Sequence, residues 1–143
     1  MQMKRLYLAF GLGMILLAAS ACSFTTANIR SLKLSKDKEG KTESSDFAPQ
    51  DTIYARAIIS NVPSKVTVKL RFFTEKVEGQ PDNTPVTQFD KSFDLPSDGE
   101  VTYFVSPPPQ GWPAGKYRIE AAMFIESGEQ KDQKTATFTV SGG

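Results

Sequence analysis

The stretch that decides the fold class is Lys65-Val66-Thr67-Val68-Lys69-Leu70-Arg71-Phe72-Phe73-Thr74. Its apolar side chains fall at every second position, and mostly polar side chains lie between them. In a β-strand successive side chains point to opposite faces, so this period of two predicts a strand with one buried face and one exposed face. On this reading Phe72 faces a core and Phe73 faces outward.

The same alternation recurs in six further stretches, where we also expect strands. They cover about 29–34, 51–60, 89–95, 101–105, 117–125 and 136–140. The stretch 89–95 is the weakest because Lys91 interrupts it, which predicts an edge strand or a bulge. Residues 118–130 are also compatible with a helix by propensity. The five alternating apolar positions from Tyr117 to Ile125 favour the strand.

Turn-forming residues separate these stretches, and Pro, Gly, Asn and Asp each favour turns for a physical reason. The separating segments are 61–64, 79–83, 96–99 and 127–128, and a polar segment, 36–46, should form a hairpin that turns near Gly40. About seven strands in roughly 110 residues is typical of an immunoglobulin-like sandwich. We therefore predict an all-β, antiparallel immunoglobulin-like β-sandwich over residues 29–141.

Two local motifs resemble bacterial immunoglobulin-like domains. Phe47-x-Pro49-x-Asp51-x-Ile53-Tyr54 resembles the entry into the second strand, and Trp112-Pro113-Ala114-Gly115-Lys116-Tyr117 resembles the corner before the sixth. The resemblance implies a tyrosine corner, in which the Tyr117 hydroxyl bonds to backbone upstream and Gly115 precedes it. This sandwich hosts many unrelated roles, so the resemblance implies a fold and not an activity.

The first 21 residues differ from the rest of the chain. Lys4 and Arg5 are followed by an uncharged run from Leu6 to Ala21 that ends in small residues. A basic start, an apolar core and a small-residue end predict a cleaved signal peptide over 1–21. The alternative is an uncleaved membrane anchor, although the run of 16 residues is short for a bilayer that needs roughly 20.

Ala19-Ser20-Ala21-Cys22 resembles the lipobox of bacterial lipoproteins, although the family prefers Leu where this chain has Ala19. The resemblance implies cleavage before Cys22 and attachment of palmitate-type acyl chains to it. Each buried CH₂ group contributes about 0.8 kcal/mol to membrane binding, so several chains give a stable anchor. Cys22 is the chain's single cysteine. The alternative is a free or intermolecular thiol, and residues 22–28 would form a short lipidated tether.

Charge and composition exclude several classes of function. Removing residues 1–21 takes away two basic residues and no acidic one, which leaves 15 basic against 16 acidic side chains. Near-neutrality argues against a nucleic-acid partner. The chain has no histidine, which excludes Ser-His-Asp catalysis and His-containing metal sites. We expect no cofactor, no metal and no catalytic residue.

Candidate binding residues fall in two places. The segment 106–112 has three prolines that favour an extended conformation, and Pro108, Pro109 and Trp112 are candidates for recognition. The alternative is that Trp112 covers one end of the core. Phe73 and Phe124 fall on outward faces of their strands and could contact a partner. Scattered exposed aromatic residues are also ordinary.

These observations predict a membrane-anchored envelope lipoprotein whose domain is a noncatalytic binding or scaffold module for protein or glycan. The alternatives are a carboxylate-dependent hydrolase and an accessory subunit of an envelope complex. The residue after the cysteine, Ser23, implies the outer membrane, facing the periplasm, if the cell is Gram-negative.

Overall fold

The computed structural model describes residues 25–142, and these form an all-β structure. The strands are β1 (Asn28–Ser35), β2 (Asp46–Phe47), β3 (Ile53–Ser60), β4 (Val66–Val77), β5 (Thr84–Pro85), β6 (Lys91–Leu95), β7 (Gly99–Val105), β8 (Gly115–Ile125) and β9 (Gln130–Val140). The predicted signal peptide and Cys22 lie outside the described residues. Within 25–142 there is no helix long and apolar enough to cross a membrane.

The strands form two sheets. One has the order β1-β3-β7, and the other has the order β2-β9-β8-β4-β5, with β6 also pairing with β4. All pairs are antiparallel except the two-residue pairing of β2 with β9. The seven longer strands therefore divide as three and four, which is the arrangement of an immunoglobulin-like sandwich. The predicted fold class is confirmed.

The core lies between the two sheets and consists of the alternating apolar positions. In β3 every second side chain is buried, from Ile53 to Ile59. In β4 the buried positions include Val66, Val68, Leu70 and Phe72, each at most 1% exposed. The alternating apolar side chains of the strands thus form one continuous core. The burial of their apolar surface is the main favourable contribution to folding.

The pairing of β4 with β8 sets the outer face of the larger sheet. Arg71 lies opposite Glu120, Lys69 opposite Ala122 and Phe73 opposite Arg118. This is the register expected when the inner faces of both strands point into one core and opposite charges meet on the outer face. It also confirms that residues 117–125 form a strand rather than a helix.

Some boundaries differ from the sequence expectation. Phe89 belongs to a 3₁₀ turn, Thr87–Phe89, and β6 begins only at Lys91. That strand pairs with β4 alone, so the predicted edge position is confirmed. The last strand begins at Gln130 rather than near residue 136, because its polar first half still pairs with β8. The hairpin over 36–46 turns at Gly40, whose φ of 74° suits glycine.

The two ends of the sandwich differ in what they carry. At one end Asn28 pairs with Ser60, close to where the described chain begins. At the other end Gly115 pairs with Val140, and the connections 78–90 and 106–114 lie beside one another. We call the second the distal end, because it lies opposite the end at which the described chain enters β1.

Candidate functional site

A cleft of about 400 Å³ lies at the distal end, and we call it the distal cleft. One wall comes from the connection between β7 and β8, and the other comes from the connection between β4 and β6. Its lining is Phe72, Thr74, Val77, Gln80, Val86, Gln88, Phe89, Ser106, Pro108, Gln110, Trp112, Pro113 and Tyr117. The residues come from four separate parts of the chain, so the fold assembles the cleft.

Aromatic rings form the floor. The Trp112 ring stacks on the Phe72 ring with centroids 5.4 Å apart and an interplanar angle of 24°. The Phe89 ring meets the Phe72 ring edge-on at 5.3 Å. The indole N–H of Trp112 donates to the Asp51 carbonyl at 2.8 Å, which satisfies the polar end of a ring that is only 6% exposed. The floor is therefore held rigidly by packing and by one buried hydrogen bond.

The proline-rich segment turns sharply before Trp112. The Gly111 N–H donates to the Pro108 carbonyl at 2.8 Å, and the Trp112 N–H donates to the Pro49 carbonyl at 2.7 Å. Gly111 has a φ of 85°, and a Cβ there would lie 2.9 Å from the Cβ of Pro49. Only glycine suits both the conformation and the close approach. This turn directs the indole ring inward while the prolines remain at the rim.

Tyr117 closes the floor as a tyrosine corner. Its hydroxyl donates to the Pro113 carbonyl, four residues upstream, at 2.6 Å. Burial raises the pKa of the phenol to about 12. At Gly115 the backbone has a φ of 151°, and a Cβ there would lie 2.6 Å from the Lys76 carbonyl oxygen. The glycine that precedes the corner is thus required by the contact between the start of β8 and the end of β4.

The distal cleft carries no formal charge. Within the described chain its lining contains no Asp, Glu, Lys or Arg, and the polar groups at its rim are mainly the amides of Gln80, Gln88 and Gln110. Amides offer both donors and acceptors. An apolar floor with a few polar groups around it is typical of binding sites for uncharged ligands.

The structure separates the predicted binding residues into two groups. Trp112 and Pro108 line the distal cleft, and Pro109 lies exposed beside it. The expectation that Trp112 presents a large face to a partner is wrong, since its ring is buried in the core. The alternative stated for it, covering one end of the sandwich, is correct. Phe73 and Phe124 lie elsewhere, on the outer face of the larger sheet.

Phe73 is not an exposed aromatic residue, and this expectation is also wrong. The side chain is only 6% exposed although it lies on the outer face. The guanidinium groups of Arg71 and Arg118 lie over its ring, 4.8 and 4.0 Å from the centroid. Cation–π contact stabilises this cover. Phe124 is half-buried, with the Lys69 ammonium 4.8 Å from its ring centroid.

Two features of the structure were not predicted from the sequence. They are one exposed aromatic residue and the wall of the cleft that comes from the connection between β4 and β6. Phe104, on β7, is 57% exposed, and its ring centroid lies 6.0 Å from that of Tyr54. The alternation of Val101, Tyr103 and Val105 already placed Phe104 on the outer face. No local pattern revealed that Gln88 and Phe89 would line a cleft with Trp112.

The described residues offer little for metal or acid–base chemistry. Over 25–142 no group of three or more His, Cys, Asp or Glu side chains could hold a metal ion. Asp94 accepts from the Thr67 hydroxyl, Asp98 accepts from the Val62 N–H, and Glu100 pairs with Arg56. Each of these carboxylates has a local partner away from the distal cleft.

No protein-family model and no curated protein matches the chain. Among solved structures, the C-terminal domain of Wzt is similar, with a TM-score of 0.54 and 7% identity over 84% of this chain and 76% of that chain. The alkylpurine DNA glycosylase AlkC of Pseudomonas fluorescens, bound to DNA containing an abasic-site analogue, is also similar. Its TM-score is 0.51 and its sequence identity is 11% over 82% of this chain. This chain spans 31% of the glycosylase. An immunoglobulin-like protein from Pseudomonas aeruginosa has a TM-score of 0.47 and 10% sequence identity, over 83% of this chain and 99% of that chain. At these identities the first two likenesses show a shared fold alone.

Proposed function

We propose that this chain is a lipid-anchored, noncatalytic binding module of the bacterial cell envelope, and that its ligand occupies the distal cleft. The observation that carries the proposal is the cleft itself. It combines about 400 Å³ of space, a rigid aromatic floor and an uncharged rim of amides. Such a site favours an uncharged segment of a protein or glycan over a charged metabolite.

Shape and chemistry both support binding rather than catalysis. A hydrolase of the two-carboxylate type needs an Asp or Glu on each side of the scissile bond. No carboxylate lines the distal cleft within the described residues. The ionisable group on its floor, the Tyr117 phenol, is engaged with the Pro113 carbonyl. A role as an accessory subunit of an envelope complex is compatible with the same cleft, since a partner subunit would then be the ligand.

The anchor follows from the sequence motif at Cys22. With the lipid there and six residues of tether before Asn28, the nearer end of the sandwich would lie close to the bilayer. The twelve residues of β4 span about 40 Å at roughly 3.3 Å per residue. The distal cleft would then open away from the membrane surface, towards ligands in the periplasm or outside the cell.

The proposal is tested by placing a photo-crosslinking amino acid at Gln110, on the rim of the cleft, in cells that express the full chain. The matched control carries the same amino acid at Glu126, an exposed position in the turn at the opposite end. We expect adducts from Gln110 and none from Glu126. The unmodified chain should also sediment with membranes and take up a fatty-acid label, and Cys22→Ser should do neither.

The two halves of the proposal can fail separately. Equal adducts from both positions, or none from Gln110, would contradict the cleft as the binding site. An unlabelled wild-type chain would contradict the lipid anchor and leave the cleft result unaffected.

A further inference from the structure

The outer face of the larger sheet carries more cationic side chains than the carboxylates on that part of the face can neutralise. Five cations lie on it: Lys69, Arg71 and Lys76 of β4, and Lys116 and Arg118 of β8. Arg118 contacts both carboxylates of this part of the face, with Glu120 at 2.9 Å and Glu75 at 3.7 Å. In the described part of the chain the other four cations form no ion pair. We call these five residues the basic strip.

One pairing within the basic strip works against stability. Lys76 lies directly opposite Lys116 in the β4–β8 ladder, just after the bulge between Thr74 and Lys76. Like charges directly opposite one another destabilise a sheet. Both side chains are exposed, and neither has a described partner that would relieve the repulsion. A pairing that costs stability suggests that the two ammonium groups serve an external ligand.

The smaller sheet carries a smaller excess of positive charge. There Lys33 pairs with Glu43 at 3.4 Å and Arg56 pairs with Glu100 at 3.2 Å. The third cation on its strands, Arg30 of β1, is exposed and forms no ion pair within the described residues, so the smaller sheet has one unpaired cation against four in the basic strip. The near-neutral charge of the whole chain therefore conceals an uneven distribution, in which the outer face of the larger sheet has more unpaired cations than the smaller sheet.

We infer that the basic strip binds a linear anionic polysaccharide, at a site separate from the distal cleft. The strip follows the strands, and Lys69 to Lys76 spans about 23 Å at roughly 3.3 Å per residue. An extended polymer with regularly spaced carboxylates matches this line of charges. The threonines that flank it on β9, Thr135, Thr137 and Thr139, are exposed and offer hydroxyl groups to sugar hydroxyls.

The same face does not suit a protein partner. Protein interfaces are organised around buried aromatic or aliphatic anchors. Here the Phe73 ring is already covered by two guanidinium groups, and Phe124 lies under the Lys69 ammonium. The face is charged, and both of these aromatic rings lie beneath cations. These features favour contact through charge and hydroxyl groups.

The test measures binding of the full chain, purified in a non-ionic detergent, to immobilised polygalacturonate, with neutral dextran as the comparison polymer. The wild type should bind polygalacturonate in a salt-sensitive manner and should not bind dextran. Each cation near an anionic surface contributes about a fivefold effect on affinity. We therefore expect Lys69→Gln/Arg71→Gln and Lys76→Gln/Lys116→Gln each to weaken binding roughly 25-fold.

The control is Lys38→Gln/Lys41→Gln, which removes the same charge from the loop between β1 and β2 and should leave binding unchanged. The Lys76/Lys116 variant should also be at least as stable as the wild type, so its lost binding cannot reflect unfolding. The inference is overturned by an absence of wild-type binding, or by an equal loss in the control. It is also overturned if poly-glutamate or anionic phospholipid vesicles bind while polygalacturonate does not. None of these results bears on the photo-crosslinks at Gln110.

Discussion

Replacing Gly115 by Ala tests whether the contact between β8 and β4 requires glycine for space as well as for conformation. An added Cβ would lie 2.6 Å from the Lys76 carbonyl oxygen and 2.9 Å from a methyl group of Val77. The matched control is Gly128→Ala in the turn between β8 and β9. Gly128 also has a positive φ, 89°, but an added Cβ there meets nothing within 4 Å.

The expected losses separate two effects. A positive φ costs a residue with a Cβ about 1–2 kcal/mol, and Ala recovers part of this because it restricts the unfolded chain. We therefore expect Gly128→Ala to lower the free energy of unfolding by about 1 kcal/mol. In Gly115→Ala the backbone must also move away from the new methyl group, and overpacking costs about 1–3 kcal/mol more. The total should reach about 2–4 kcal/mol.

Urea denaturation followed by far-ultraviolet circular dichroism measures both variants. With slopes of about 1–3 kcal/mol per molar urea, the Gly115 variant should have a midpoint about 1 M below that of the control. Equal midpoints would refute the reasoning. They would mean that the Lys76 carbonyl moves aside without cost and that only the backbone conformation requires glycine at position 115.

Two further predictions concern the floor of the distal cleft. Tyr117→Phe should lower stability by about 0.5–1.5 kcal/mol through the lost bond to Pro113. Because burial raises the Tyr117 pKa to about 12, above the value near 10 of an unfolded tyrosine, its contribution is complete below pH 10 and is lost as pH rises towards 12. The free energy of unfolding, measured by urea denaturation between pH 10 and pH 12, should therefore fall less steeply for the variant than for the wild type. Parallel decreases in the two proteins would contradict this. Phe72→Ala should cost about 3–5 kcal/mol. Its control, Phe104→Ala at a 57% exposed position, should stay within about 0.5 kcal/mol, and similar losses would contradict the assigned core.

The fold was predictable because the sequence expresses it locally. Alternation from Val66 to Phe72 and from Tyr117 to Met123 identifies two strands and their buried faces. Once both inner faces point into one core, the register can change only in steps of two, and the charges of Arg71 and Glu120 favour one choice. Tyr117 could be assigned to a corner because the whole motif lies within six consecutive residues.

The candidate site was harder to predict because it depends on contacts between distant segments. The alternation of apolar and polar residues predicts which face of the sheet Phe73 occupies. It does not predict that two arginine side chains cover the Phe73 ring. In the same way Gln88 and Trp112 become neighbours only through the packing of two connections. The pairing of Lys76 with Lys116 also depends on a bulge, which shifts the register beyond what regular alternation can predict.

The position of Trp112 has a practical consequence. It is the chain's only tryptophan, so all indole fluorescence from this protein arises from one ring at the floor of the distal cleft. That ring is buried and stacked on Phe72, so its emission should lie at short wavelength and shift to the red on exposure to water. A ligand that enters the cleft should change this emission. A polymer on the basic strip, which lies on the outer face of the sheet, should leave it unchanged. The protein therefore carries a built-in optical reporter that can distinguish its two proposed sites without any label.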